Sequence, residues 1–299
     1  MPNTALSTGL CALVVALTVL FASLAAQASA GDGAGLVVPI GPTGALVVAA
    51  VLIGVGVTRR GKLPSWRAGQ SPMFVALGVT VAVGLSVHLY LIFAYAPVEA
   101  TMGIAQKIFY YHVPSAYSMY IGFTLALIGS IGYLWRRDPR WDALAVAGAE
   151  VGMVFVLVVL ISGPLWARKA WGTYWTWDPR LTSTMMIGMV FMAFVVLRSF
   201  GAGGEIEKRF AAGLAIVGSF LIPIIHWSVQ RWRGQHPTVV TGRGGGLHAD
   251  MYPAFLTGMG VFTLLVIFLV WARYRAERTK HAVTALEDRL ADVGMLEDA

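Results

Sequence analysis

The chain contains little of what soluble enzymes use for chemistry. Of its 299 residues, one is a cysteine, Cys11, and only 12% are charged. A single thiol supports no thiol chemistry, and no Cys/His grouping has the spacing of a zinc site. A phosphate-binding Gly-x-x-x-x-Gly-Lys loop is also absent, so nothing in the sequence predicts nucleotide hydrolysis.

What the chain has instead is apolar sequence. Apolar residues make up 57% of it and the mean hydropathy is +0.71, which is typical of a polytopic membrane protein. A membrane-spanning helix needs about 20 mostly apolar residues. We therefore predict an all-α transmembrane helical bundle with seven or eight spans. The apolar runs lie at about 5–28, 36–57, 73–96, 113–135, 143–165, 184–200, 210–227 and 253–272.

The first run leaves the number of spans open. It ends in Ala28-Ser29-Ala30, which resembles a signal-peptide cleavage site, but its leading end lacks the usual Lys or Arg. Both cleavage and retention are compatible with this pattern.

Basic residues are unevenly shared between the two sets of loops, which predicts the orientation. The richer set comprises Arg59, Arg60, Lys62, Arg67, Arg136, Arg137, Arg140, Arg198, Lys208, Arg209, Arg273, Arg275, Arg278, Lys280 and Arg289. The poorer set comprises Lys107, Arg168, Lys169, Arg180, Arg231, Arg233 and Arg243. The positive-inside rule places the richer set in the cytoplasm. The net charge of +7 is then an orientation signal for a lipid bilayer, and no nucleic-acid partner is predicted.

Tryptophan is concentrated in one predicted outer loop. Four of the ten tryptophans lie within twelve residues, namely Trp166, Trp171, Trp175 and Trp177. Single tryptophans at span ends usually form an interfacial aromatic belt. Four of them, with Tyr174 and a glycine at 172 that permits close approach, favour a stacking surface for a flat aromatic ligand. A haem macrocycle is the obvious candidate.

Two histidines lie at outward ends of spans, at the same face as these tryptophans. Pro114 favours the first turn of a helix and disfavours helical geometry just before it, which places His112 near the start of its span. His226 follows Pro223, which can kink its span. Two neutral imidazoles on different helices can approach an iron from opposite faces of a porphyrin, so we predict His112 and His226 as metal ligands. Covalent attachment through thioethers is not expected, because no Cys-x-x-Cys-His sequence occurs.

Three stretches resemble a known family, in matching order along residues 73–275. They are Tyr110-Tyr111-His112-Val113-Pro114-Ser115-Ala116, Trp171-Gly172-Thr173-Tyr174-Trp175-Thr176-Trp177-Asp178-Pro179-Arg180-Leu181-Thr182-Ser183, and Pro223-Ile224-Ile225-His226-Trp227-Ser228-Val229. The middle stretch looks like the Trp-rich WWD motif of the haem-handling superfamily of cytochrome c biogenesis. Its Arg-Leu-Thr-Ser ending and the two flanking stretches are similar to the haem exporter protein C family, known as CcmC.

The resemblance implies a six-span protein of the bacterial inner membrane that is not an enzyme. Such a protein holds haem b at the periplasmic face and presents it to a membrane-anchored haem chaperone. It works beside ABC-transporter-like subunits and a small single-span subunit. The axial histidines of the family match His112 and His226. The haem platform and chaperone contact match Trp171, Trp175, Trp177 and Asp178.

The chain departs from the family pattern by about 70 additional residues ahead of the first matching span. We therefore expect an N-terminal extension at 1–70, with a possible signal or span and one further span. A six-span haem-handling domain is expected at 71–275 and a cytoplasmic tail at 276–299.

The two propionates of haem need cations. The outward basic residues available are Arg168, Lys169, Arg180, Arg231 and Arg233. Arginine pairs with carboxylates in a forked geometry, and we prefer Arg180, although Asp178 can simply pair with it.

Other polar residues have ordinary interpretations. We expect His88 to be buried, neutral and hydrogen-bonded, and Glu150 to be protonated or paired with a polar neighbour. His236 and His248 are expected to be exposed in the long outer loop, and His281 to be inert in the tail.

Three other functions remain open. A b-type electron-transfer cytochrome usually buries its haem within the bundle, whereas these histidines lie at a rim. A cytochrome c synthetase of the same superfamily needs a second, membrane-embedded histidine pair, of which His88 supplies at most one member. A solute permease is the weakest option, because no broken helix pair or internal repeat is evident.

Overall fold

Helices make up almost all of the chain that the structure describes. The computed structural model describes residues 71–201, 204–232, 234–236 and 246–293. No β-strand occurs within these ranges, where only an isolated bridge pairs Glu99 with Gly103. Six helical segments are long and apolar enough to cross a membrane, so the predicted all-α transmembrane bundle is confirmed.

Seven α-helices occur within the described residues. They are α1 (Pro72–Tyr90), α2 (Phe109–Arg136), α3 (Pro139–Trp171), α4 (Pro179–Phe200), α5 (Glu205–Ser219), α6 (Leu221–Trp232) and α7 (Tyr252–Asp292). Short helical turns lie at Leu91–Tyr95, Ile104–Ile108 and Ala249–Met251. The apolar runs predicted at 5–28 and 36–57 lie outside the described residues.

The other six apolar runs each coincide with a helical segment, and the helices extend beyond them. The largest difference is in α7, which continues from the end of its apolar run to Asp292. Along this extension, Arg273 Nη1 donates to Glu277 at 2.8 Å, and His281 Nε2 lies 3.4 Å from Glu277. Pairs of side chains four residues apart support a helix in water, so the described part of the tail is helical. The domain boundaries at 70 and 275 stay predictions.

The same tripeptide, Asp-Pro-Arg, begins both α3 and α4. Asp138 and Asp178 are the N-caps, and in each case Oδ1 accepts a hydrogen bond at 2.8 Å from the backbone N–H two residues later. The proline occupies the first helical position, where no intrahelical N–H bond is needed. At the other end of α3, Gly172 adopts φ 76° and terminates the helix.

Helix α2 begins before Pro114 and not at it. The helix starts at Phe109, so the expected non-helical geometry before the proline is wrong. Pro114 has no N–H to offer the carbonyl of Tyr110, four residues back. The His88 ring supplies the missing donor. Its Nε2 lies 3.2 Å from Tyr110 O, and toward a carbonyl a ring nitrogen can only donate. His88 is fully buried, so its expected role as a hydrogen-bonded core histidine is confirmed.

The chain divides into two units. Among the described residues, unit one comprises 71–111 and 246–268, and unit two comprises 112–201, 204–232, 234–236 and 269–293. In unit one, Phe74 stacks on Phe268 with ring centroids 4.8 Å apart. The buried Lys107 donates through Nζ to the carbonyls of Ile92 and Ala96 at 2.5 and 3.2 Å, which satisfies the turn after α1.

Unit two depends on the close approach of α2 and α3. A Cβ atom at Gly122 would lie only 2.6 Å from the Cα of Gly152, so the two backbones pack directly against each other. Beside this contact, Phe123 of α2 stacks on Phe191 of α4 with centroids 3.8 Å apart. Helices α2, α3 and α4 therefore form the frame on which the other parts of unit two are mounted.

A break separates α5 from α6. Pro223 cannot donate to the carbonyl of Ser219, and the helix is interrupted at Phe220, whose N–H instead bonds to Val217 O at 3.2 Å. The predicted disturbance of this span by Pro223 is confirmed. The short helix α6 that follows carries His226.

Candidate functional site

His112 is oriented by a serine of the neighbouring helix. Its Nδ1 lies 2.9 Å from Ser162 Oγ, and the same hydroxyl lies 2.6 Å from Val158 O. A carbonyl only accepts, so the serine proton goes to Val158 and the serine oxygen accepts from His112 Nδ1–H. In the neutral ring this leaves the lone pair on Nε2, which is the state in which an imidazole binds a metal.

The position of the His112 ring also depends on the residue after that serine. A Cβ atom at Gly163 would lie 3.3 Å from His112 Cε1, which is tighter than normal packing. Ser162 and Gly163 together therefore provide a hydrogen-bond acceptor and the room for the ring. Ser162 precedes the end of α3 at Trp171 by nine residues, which is about 14 Å along the helix axis.

His236 lies beside His112, which the sequence analysis missed. The two rings have centroids 6.3 Å apart and an interplanar angle of 28°. His236 Nδ1 also lies 3.3 Å from Arg180 Nη1, which can only donate. The ring is partly buried, so the expected exposure is wrong for His236. The expected exposure is correct for His248, whose side chain is 69% exposed. His236 and His248 both lie in polar sequence without periodicity, so no local pattern tells a buried histidine from an exposed one.

Arg180 joins α4 to α6. Its guanidinium donates from Nε to Ile225 O at 3.3 Å and from Nη2 to His226 O at 3.1 Å, and Nη1 faces His236. Two carbonyl acceptors on successive residues hold the planar guanidinium in one orientation. Arg180 thus fixes the backbone of the residue that precedes Trp227, and it does not pair with Asp178 through its side chain.

Asp178 connects two segments with one carboxylate. While Oδ1 caps α4, Oδ2 accepts a hydrogen bond from the backbone N–H of Gln235 at 2.7 Å. A Cβ atom at Gly234 would lie 2.4 Å from Oδ2, so only glycine fits there. The Asp178 side chain is buried. It therefore positions the segment that carries His236, in addition to starting the helix that carries Arg180.

The tryptophans form two edge-to-face pairs. Trp166 and Trp171 have ring centroids 5.5 Å apart, and Trp175 and Trp177 have centroids 6.0 Å apart. Trp177 is 75% exposed. The loop at 172–178, called the Trp loop below, therefore presents aromatic surface at its outer edge.

His226 is exposed, unlike His112. Its ring contacts Trp227, with centroids 6.4 Å apart, and Trp227 itself is 56% exposed. The main chain of His226 is held by Arg180, whereas its imidazole lies at the surface. The predicted site residues therefore all belong to unit two. Arg180 contacts the main chain of His226 and the ring of His236, and His236 lies beside His112. The described residues contain no group of three His, Cys, Asp or Glu side chains that could hold a metal ion by themselves.

Comparison with known proteins identifies the family of the chain. The model of the family described as "Heme exporter protein C" matches residues 63–289. The "Heme exporter protein C" of Bradyrhizobium diazoefficiens is 33% identical over 214 residues, covering 71% of this chain and 81% of that protein. The protein of the same description from Haemophilus influenzae is 29% identical over 218 residues, covering 70% and 85%. A "cytochrome c biosynthesis ccmC-like mitochondrial protein" of Marchantia polymorpha is 30% identical over 184 residues, covering 61% and 78%.

The family match spans three quarters of the chain and includes all three motifs that carry the predicted site. This multi-pass membrane protein therefore belongs to the haem exporter protein C family.

Proposed function

We propose that the protein binds haem b at the face of the membrane where the Trp loop lies, and that it delivers this haem for cytochrome c maturation. Membership of the haem exporter protein C family supports this function. The observation that carries it is the His112–Ser162 hydrogen bond, which leaves His112 Nε2 with a free lone pair at the site.

His112 and His226 are the proposed axial ligands of the iron. They lie on different helices, α2 and α6, and Arg180 links the second of these to α4. A planar ligand between two imidazoles needs no third protein ligand, which agrees with the lack of a larger metal-binding cluster among the described residues.

Trp171, Trp175 and Trp177 are proposed to form the platform for the macrocycle, and the exposed Trp177 to contact the receiving protein. Aromatic contacts of this kind contribute about 0.5–1.5 kcal/mol each beyond area burial, so the grip can remain modest. Asp178 and Arg180 are the positioning residues of this platform. For Arg180 to pair with a propionate, it would have to exchange its contacts with the carbonyls of α6.

The proposed function also implies a location, an orientation in the membrane and a set of protein partners. The distribution of Lys and Arg supports a bacterial inner membrane protein whose Trp loop faces the periplasm. The proposed partners are a membrane-anchored haem chaperone, ABC-transporter-like subunits and a small single-span subunit.

His88 favours delivery over haem attachment. A synthetase of the superfamily would use a pair of membrane-embedded histidines as ligands, and His88, whose Nε2 donates to the carbonyl that Pro114 leaves unpaired, supplies at most one member of such a pair. Formation of holocytochrome by this chain without a chaperone would support the synthetase instead.

The test is haem capture by the purified full-length protein. We expect ferric and ferrous absorption spectra of a bis-histidine haem, and loss of that signature in His112→Ala and in His226→Ala. His248→Ala is the matched control, because it removes an exposed imidazole from the long loop. Unchanged loading and coordination in both ligand variants would contradict the assignment.

A further inference from the structure

A basic cleft lies in unit two, away from the Trp loop. Its volume is about 480 Å³, and it is lined by Arg140, Tyr274, Arg275, Arg278 and Thr279. We call it the arginine cleft. Arg140 is near the start of α3 and Trp171 is at its end, so the cleft and the Trp loop lie at opposite ends of a helix about 50 Å long.

The carboxylates that pair with Arg273 and His281 of α7 lie at another face of that helix. Arg273 Nη2 donates to Glu150 Oε1 at 2.7 Å, and Arg273 Nη1 donates to Glu277. His281 Nε2 lies 3.3 Å from Asp142. Residues 273, 277 and 281 repeat every four positions and therefore share one face of the helix.

The cleft itself retains positive charge. Arg278 makes no ion pair with any residue that the structure describes. Arg140 is 70% exposed, and its Nε lies 4.0 Å from Asp138, which is the limit of an ion pair. Guanidinium groups that line an open cleft are suited to an anion such as phosphate, because each can donate two parallel hydrogen bonds to a pair of its oxygens.

The residues around the cleft have the character of a membrane–water interface. The apolar run of α7 ends near residue 272, immediately before Tyr274 and Arg275. At the same end of unit two, Trp135 is 80% exposed, with the Arg136 guanidinium 5.8 Å from its ring centroid. Exposed tryptophan beside arginine is typical of the membrane–water interface.

We propose that the arginine cleft binds the phosphate headgroup of an anionic phospholipid. The guanidinium groups of Arg140 and Arg278 pair with the phosphate oxygens, and the Tyr274 hydroxyl donates a further hydrogen bond. A free phosphate ion shares this chemistry, but the interfacial character of the residues around the cleft favours the lipid. The site is independent of any ligand at the Trp loop.

The test measures lipid binding to the delipidated full-length protein by native mass spectrometry. Phosphatidylglycerol is titrated against phosphatidylcholine, with and without inorganic phosphate. We expect a preference for phosphatidylglycerol that millimolar phosphate does not remove. Each interfacial arginine contributes about 1 kcal/mol to anionic lipid binding. The triple variant Arg140→Gln/Arg275→Gln/Arg278→Gln should therefore weaken phosphatidylglycerol binding by at least about tenfold.

The matched control removes the same number of charges on the same side of the membrane. Lys208→Gln/Arg209→Gln/Arg289→Gln should leave the affinity within about twofold, because none of these three residues lines the cleft and charges outside it are screened by salt. Equal losses in the two triple variants would overturn the proposal, and so would complete displacement by inorganic phosphate. A wild-type protein with no preference between the two lipids would overturn it without any substitution.

Discussion

At the scale of single residues, the proposed site depends on side chains that orient the ligand-binding residues and are not themselves proposed to contact haem. Ser162 has one hydroxyl proton, and Val158 accepts it. This leaves the serine as an acceptor, which selects the tautomer of His112. The sequence motif around His112 gives no sign of this serine, which lies fifty residues later in another helix.

The first prediction concerns this serine. Ser162→Ala should lower haem affinity by about 10- to 100-fold, because partners that orient a metal ligand have effects of that size. Haem titration followed by absorption measures the change. Ser86→Ala is the control, since Ser86 Oγ also bonds to the carbonyl four residues back but contacts no histidine. Equal affinity in Ser162→Ala and wild type would contradict the role.

At the scale of helices, Asp-Pro-Arg appears twice with different consequences. Both aspartates cap a helix with the same geometry. Only Asp178 also accepts a hydrogen bond from a distant segment, through the backbone N–H of Gln235. The tripeptide predicts a helix start in both places, and the tertiary contact adds the connection to the site.

The second prediction uses this pair of caps. Asp138→Ala and Asp178→Ala should each lose about 1 kcal/mol of stability with the cap. Asp178→Ala should lose about 1.5–3 kcal/mol more, because it also removes the hydrogen bond that the Gln235 N–H donates to a buried carboxylate. Thermal unfolding in detergent measures both. Haem capture should fall only in Asp178→Ala, and an equal fall in Asp138→Ala would argue against a positioning role.

The length of the helices shows what hydropathy can predict. Apolar runs located all six described spans, since burial in lipid requires them. They missed the first residues of α2 because Pro114 usually marks a helix start, and the donor that compensates for it, His88, is remote in sequence. They also missed the extension of α7, because a polar helix held by ion pairs leaves no hydropathy signal.

The candidate site, like the helices, could be predicted from the sequence only in part. The tryptophans and the two proposed ligands lie in recognisable motifs, whereas His236 was assigned to an exposed loop. Arg180 was expected to serve a propionate, and its three contacts with α6 and His236 could be found only in the fold. Glu150 was expected to be protonated or paired, and its pairing with Arg273 is confirmed. His281, expected to be inert in the tail, lies beside Asp142 and Glu277, and its lack of a functional role stays a prediction.

At the scale of the whole molecule, charge is distributed unequally along unit two. The end that carries the arginine cleft also contains a buried ion pair, in which Arg198 Nη2 donates to Asp142 Oδ2 at 2.8 Å. Both side chains are at most 7% exposed. Removing one member of such a pair leaves an uncompensated buried charge.

The third prediction compares this pair with an exposed one. Arg198→Ala should destabilise the protein by about 3–5 kcal/mol. Arg209→Ala should cost at most about 1 kcal/mol, because its partner Glu205 is 48% exposed and solvent screens the pair. Denaturation of the two variants in the same detergent measures the difference. Similar losses for both would show that the Arg198 pair is not isolated from water.

The ion pairs described for unit two all lie at the end of the arginine cleft, whereas the Trp loop is joined to its surroundings mainly by hydrogen bonds and ring edges. The end of unit two with the arginine cleft is therefore cross-linked by charge, and the end with the Trp loop is held by weaker contacts. Free energies of local opening differ between the parts of a protein according to such contacts. The haem exchange proposed above would then require opening at the Trp loop alone, while the ion pairs keep the other end folded.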